Sequence, residues 1–237
     1  MTELKIDQVS RTFPARQGNV PTRALEPTDL SVGNNDFVTI LGPSGCGKST
    51  LLRIVAGLDW PTSGRVILDG QNVAGPGADR GMVFQSYTLF PWLTVRENIA
   101  FGLRERGIFE ADRGKIADGF IHRVGLSGFE NHSPKQLFGG IQQRTAIAPA
   151  LQDLLDEPFG ALDNPTRVLM QEMLLGIWEC DPKTMLFVTH DIEEAIFLGS
   201  RVIVMSAPVP AASRPRSRLI YPTRDPTRSR PRPNSSG

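Results

Sequence analysis

The sequence predicts an α/β fold, a parallel sheet organised around a phosphate-binding loop, on three observations. The apolar run Phe37-Val38-Thr39-Ile40 leads into a glycine-rich stretch ending in Lys48-Ser49, and the periodic segment Leu51-Leu52-Arg53-Ile54-Val55 follows, giving strand, loop and helix in that order. Leu154-Leu155 and Thr184-Met185-Leu186-Phe187-Val188-Thr189 read as buried strands that run into polar side chains, at the edge where open α/β sheets hold ligands. Between the early strands and these later ones lies a long stretch of helical pattern without strands, which should form a subdomain of its own.

Taken in order, Leu4-Lys5-Ile6-Asp7-Gln8-Val9 alternates apolar and polar like a half-buried strand, and Ala24 to Val32 should pair with it. Phe13-Pro14 and the Gly18-Asn19 turn lie between them, leaving Phe13 available either as an edge packing residue or as a stacking surface. Gly57 and Pro61 end the helix after the loop, and Gly64 to Gly70 reads as a strand closing on an Asp-Gly turn. Gly81-Met82-Val83-Phe84-Gln85 is a short buried strand with Gln85 at its carboxyl end. Thr94 opens a helix to about Arg106 with Glu97 in capping-box position, and further helices are expected over 111–124 and 136–148. His122 and His132 fall in this region without partners at ligand spacing and read as solvated. Residues 166–179 carry apolar side chains at helical spacing, which is core packing, and Arg201 to Met205 is the closing strand.

The loop spacing has a chemical reason. Gly42, Gly45 and Gly47 let the backbone of Gly42-Pro43-Ser44-Gly45-Cys46-Gly47 turn tightly enough for successive N–H groups to converge on a polyphosphate. Lys48 supplies a point charge to the β/γ-phosphates, Ser49 a hydroxyl to Mg²⁺, and the helix that begins here, with Thr50, a positive dipole. Asp156 and Glu157 follow an apolar strand, the arrangement that places Asp156 near Mg²⁺ and Glu157 near an attacking water. Gln85 is a further candidate for the metal or the water, and His190 stands at a strand's carboxyl end.

At 237 residues the chain can hold one large α/β domain with subdomains, and its net charge of +1 gives no global reason to expect a nucleic-acid partner. Two cysteines, one of them inside the loop, make no disulfide framework and point to a reducing compartment. No leader pattern opens the chain and no apolar run approaches the ~18 residues of a membrane span, so any link to a membrane is expected to run through a partner. From about Ala207 to Gly237 the sequence is rich in Arg, Pro and Ser without hydrophobic period, and the expectation is a disordered tail.

In sequence order these pieces resemble the nucleotide-binding subunit of an ATP-binding cassette (ABC) transporter, over roughly residues 4–206. Residues 42–49 match the family's Walker A, Gln85 its Q-loop, Asp156-Glu157 the end of Walker B, Ala161-Leu162-Asp163 the D-loop and His190 the switch histidine. Phe13 falls where the family stacks an aromatic on adenine, and Leu137-Phe138-Gly139-Gly140-Ile141-Gln142-Gln143-Arg144 resembles the signature that caps the partner subunit's ATP. The resemblance implies a P-loop NTPase (RecA-like) core sheet with an N-terminal antiparallel β subdomain and a helical subdomain at about 86–150. The wording of 89–103 is similar to importers of nitrate, sulfonates or taurine. The implied activity is ATP hydrolysis with Mg²⁺, coupled to transport through an integral membrane permease at the cytoplasmic face of the cell membrane. A second ATP-binding subunit, as a homodimer, and indirectly a solute-binding protein complete the implied partners, with no nucleic acid.

Two departures from the family open a second reading. Phe138 stands where the signature has a serine that donates to the γ-phosphate across the dimer, and losing such a bond costs ~1.5–3 kcal/mol. The segment 148–155 is about five residues shorter than its counterpart, comparable with a whole strand, and Pro149 should stop the preceding helix near Ala148. The alternative is a cassette that binds nucleotide or a partner without hydrolysis.

Overall fold

The computed structural model describes residues 3–15, 20–84, 89–105, 107–147, 154–160, 162–180, 182–206 and 220–222. Alternation over the N-terminal segments gives β1 (Leu4–Phe13) and β2 (Thr22–Val32), which pair antiparallel. Buried β3 (Phe37–Leu41) runs through the phosphate loop into α1 (Lys48–Val55). Then come β4 (Ser63–Leu68), β5 (Gln71–Asn72) and β6 (Met82–Val83). The helical stretch forms α2 (Val95–Glu105), α3 (Glu110–Arg123) and α4 (Gly139–Ile147), the last preceded by a 3₁₀ turn at Pro134–Gln136. The chain returns through β7 (Leu154–Asp156), α5 (Asn164–Cys180), β8 (Met185–Thr189), α6 (Ile192–Leu198), β9 (Arg201–Val204) and β10 (Ile220–Pro222).

Two sheets result. An antiparallel one has the order β2-β1-β4-β5, and a second has the order β10-β9-β3-β8-β7-β6. In the second sheet every pairing is parallel except β10 on β9. Its register aligns Leu41 with Thr189 and Asp156 with Val188, so Gly42, His190 and Glu157 all emerge at one carboxyl edge. That edge, rather than any one strand, makes the site.

The core has three parts. Leu4, Ile6, Leu52, Val55, Leu68 and Leu186 belong to a buried cluster that packs α1 between the two sheets. Phe37, Phe159, Phe187, Leu174 and Leu198 fill the side occupied by α5 and α6. The helical part has its own centre in Val95, Ile99, Ala117, Ile121, Leu126 and Leu137, and Phe120 and Met173 pack against both this cluster and the second one. A separate apolar centre is what allows α2 to α4 to behave as a subdomain. The capping box holds: Thr94 N–H donates to Glu97 Oε2 at 2.7 Å and Glu97 N–H returns to Thr94 Oγ1 at 3.3 Å. Buried Asn98 closes the preceding turn, accepting from Phe90 N–H at 2.8 Å and donating to the carbonyls of Leu93 and Thr94.

Several expectations need correction. The 136–148 helix begins only at Gly139, because Pro134 starts a 3₁₀ turn that ends at Gln136 and Leu137 is extended. The 81–85 strand is confined to Met82–Val83 among described residues, and Gln85 lies outside them. Within the segment expected to be a disordered tail, Ile220–Pro222 pairs antiparallel with the edge strand β9, with Tyr221 opposite Val202. The rest of 207–237 and the shortened segment 148–153 lie outside the described residues. His122 is exposed as expected, whereas His132 is half-buried with its ring 5.3 Å from that of Phe129.

Candidate active site

The phosphate loop is built where a side chain cannot fit. Gly47 caps α1 at φ +97°, and a Cβ there would stand 2.4 Å from the Ala24 carbonyl oxygen. A Cβ on Gly42 would meet the Met205 carbonyl oxygen at 2.3 Å, so the residue that follows β9 and the loop touch backbone to backbone. Between them Cys46 is buried, while Pro43, Ser44 and Gly45 are exposed. Lys48 is buried, and its Nζ donates to the carbonyls of Gly42 at 2.6 Å and Pro43 at 3.0 Å. The same ammonium lies 3.8 Å from Glu157 Oε1.

One hydrogen bond crosses from the start of α1 to β7, and one contact joins the residues that follow β7 and β8. Ser49 Oγ donates to Asp156 Oδ1 at 2.9 Å, with Thr50 next along α1. Glu157 Oε2 lies 3.1 Å from His190 Nδ1, while its backbone, at φ +46°, donates to the Val188 carbonyl at 2.9 Å. Glu157 thus stands between a buried cation and an exposed imidazole. Burial raises the Asp156 carboxyl above its ordinary range; the Ser49 hydrogen bond opposes this and the charge of Glu157 adds to it. A metal ion would reverse that balance, since a divalent cation favours the ionised carboxylate.

The oxygen pair Ser49–Asp156 suits Mg²⁺, which takes one or two protein oxygens and keeps water and phosphate for its other positions. No cluster of three or more His, Cys, Asp or Glu exists among the described residues to form an all-protein metal cage. Phe13 ends β1 at 39% exposure with the Arg11 guanidinium over its ring at 4.7 Å, so one face is already covered by a cation. Phe138, Gly139 and Gly140 form an exposed turn at the start of α4, on the helical part of the molecule.

Sequence reasoning assigned α5 to core packing and missed what two of its polar side chains do. Arg167 and Gln171, one turn apart, reach α6 beside His190. Gln171 Nε2 donates to Glu194 Oε1 at 2.8 Å in a buried contact. Desolvation raises the Glu194 carboxyl, and hydrogen bonds from Thr189 and Gln171 offset this in part. The native state therefore holds the Glu194 proton more tightly than the unfolded chain does. Its stabilising contribution is full below the ordinary carboxylate range and is lost as pH rises through the raised pKa. Glu194→Gln carries no such charge, so its Tm relative to the natural chain should rise as pH increases from the ordinary carboxylate range through the raised pKa, and then level off, in thermal scans. A Tm difference independent of pH would remove this account of Glu194.

A glycine-rich loop at a helix start, a buried lysine, paired carboxylates and a histidine at one sheet edge are the features of a P-loop nucleoside triphosphatase. The ABC transporter family pattern matches residues 25–167. An uncharacterized ABC transporter ATP-binding protein of Methanocaldococcus jannaschii is 52% identical over 210 residues, covering 86% of this chain and 78% of that one. The nitrate import ATP-binding protein NrtD of Synechocystis is 48% identical over 209 residues, 86% of this chain and 78% of its own length. The aliphatic sulfonates import protein SsuB of Bacillus thuringiensis is 49% identical over 209 residues, 86% and 81% respectively. Among solved structures, the dimeric bacterial ABC transporter cassette MJ0796 superposes at TM-score 0.74 with 37% identity, covering 86% of this chain and 94% of that one. The same cassette in a post-hydrolysis state with ADP and Pi gives 0.77 at 33% identity, covering 94% and 99%. The chain belongs to the ABC transporter family, as an ATP-binding subunit that hydrolyses ATP. None of these similarities favours the non-hydrolysing alternative.

Proposed function

We propose that this chain powers an importer of a small anion such as nitrate, a sulfonate or taurine, by coupling ATP binding and hydrolysis to a membrane-embedded permease. The observation that carries the chemical part is the convergence of Lys48, Glu157 and His190 beside the Ser49–Asp156 pair. Loop N–H groups from Ser44 to Thr50 and the Lys48 ammonium hold the phosphates, while Phe13 offers a ring to the base. Ser49 and Asp156 would hold Mg²⁺, with Gln85 as a further ligand outside the described residues. When bound, the metal neutralises charge on the phosphate oxygens. Glu157 is suited to orient the attacking water and accept its proton, and His190 fixes the carboxylate that does so. Hydrolysis of a phosphoanhydride needs little more than such placement.

In this reading a second cassette, as a homodimer, brings Phe138, Gly139 and Gly140 against the ATP of its partner. The 48–49% identity to nitrate and sulfonate import proteins supports the anion class. The permease and, through it, a solute-binding protein place the chain at the cytoplasmic face of the cell membrane. Among the described residues no helix is long and apolar enough to cross a membrane. The test is uptake of labelled nitrate, methanesulfonate and taurine by vesicles holding the cognate permease, with this chain or with Lys48→Ala supplied from the ATP side. Accumulation of one of these anions only with the unmodified chain is expected. Equal accumulation with Lys48→Ala, or none of any anion despite ATP turnover, would remove the importer assignment.

A further inference from the structure

Arg167 lies on the first turn of α5, immediately after Leu162 and Asp163. Its guanidinium works in two directions. Nη2 donates to the Leu162 carbonyl at 3.0 Å, and Nη1 lies 3.5 Å from Asp191 Oδ2. Asp191 is not a passive acceptor. It caps α6, taking the N–H groups of Glu193 at 2.9 Å and Glu194 at 3.1 Å on Oδ1, while its own N–H donates to Thr189 Oγ1 at 3.0 Å. His190 is the residue between Thr189 and Asp191, so its backbone is pinned on both sides by this cap. One turn along α5, Gln171 anchors the same helix through buried Glu194.

We propose that Arg167 is a positioning residue that ties the 162–163 turn to the His190 turn and thereby sets the imidazole against Glu157. A shift of the Leu162 carbonyl pulls on a planar, five-donor group that is already committed to Asp191, and the cap of α6 transmits it to His190. The contact from His190 Nδ1 to Glu157 at 3.1 Å is the one that changes. This proposal rests on the hydrolytic role assigned to Glu157 and His190, and its test has an arm that does not.

The chain contains three histidines, His122, His132 and His190, few enough for their imidazole signals to be assigned individually by NMR in the full-length protein. Arg167→Ala should move the His190 signal, in the free protein and with ADP added, and leave those of His122 and His132 in place. ATP affinity should stay within about threefold while kcat falls about tenfold or more, the pattern of a misplaced group rather than a lost binding one. Arg167→Lys keeps a cation beside Asp191 but cannot span both acceptors, so it should recover the signal and the rate only in part. An unmoved His190 signal overturns the proposal whatever the rate does. Movement of all three signals together also overturns it, because that reports general loosening. If Arg167→Ala does not fold, Arg167→Gln is measured against the same two outcomes. Absence of turnover in the unmodified chain would count against the hydrolytic reading alone, since the His190 signal still decides whether Arg167 places it.

Discussion

Glu157→Gln should lower ATP turnover by about 10²–10⁴-fold while leaving ATP bound, the range expected when a general base is removed from an otherwise intact site. Three contacts make Glu157 the group to change. Its Oε2 meets His190 at 3.1 Å, its Oε1 is 3.8 Å from Lys48, and its main chain is fixed to Val188. Glutamine keeps the size and the same tolerance of φ +46°, so the turn after β7 should survive. What it lacks is an acceptor for the proton of water. It also removes one negative charge facing Lys48, which leaves that ammonium freer to serve phosphate and argues against weaker binding. Measuring the Kd for ATP beside phosphate release separates the two effects. Turnover within about tenfold of the unmodified chain would show that proton acceptance lies elsewhere.

The parts of this site that were legible in the sequence are those in which chemistry and chain order coincide. Residues 42–49 announce themselves because the turn, the cation and the helix start are all neighbours in sequence, and Asp156-Glu157 because two apolar residues precede them. The Thr94–Glu97 capping box is local in the same sense. What escaped is interhelical. Arg167 and Gln171 share one face of α5 with apolar residues, and nothing short of the packing of α5 on α6 says that their targets are Asp191 and Glu194. The one available sign was the Asp191-Ile192-Glu193-Glu194 run, an N-cap with acidic residues in the first turn, beside His190. Strand β10 was illegible for another reason. Three residues leave no period to detect, and their conformation depends on the open edge of β9 rather than on their own sequence. The start of α4 shifted because Pro134 favours a first turn, which here closes as 3₁₀ and ends before Gly139.

Phe138→Ser should raise turnover in the assembled subunit pair by about tenfold to a hundredfold, because a hydroxyl there can donate to a charged phosphate oxygen, worth ~1.5–3 kcal/mol. The structure gives the substitution a second effect that acts within one chain. The Phe138 carbonyl accepts from the N–H groups of Ile141 at 2.9 Å and Gln142 at 3.1 Å, which makes Phe138 the cap of α4. A phenylalanine in that position has no oxygen to offer the first turn, whereas serine does, at a typical gain of ~1 kcal/mol. The ring itself contributes little to the fold, being 84% exposed, so its removal leaves no cavity. Thermal unfolding and ATP turnover therefore report two separable contributions. A raised Tm with unchanged turnover would assign residue 138 to capping α4 alone and remove the contact across the pair. A raised turnover with either Tm places the start of α4 at the partner's nucleotide. In the unmodified chain the exposed amides of Gly139 and Gly140 would then have to serve the phosphates without a side-chain hydroxyl.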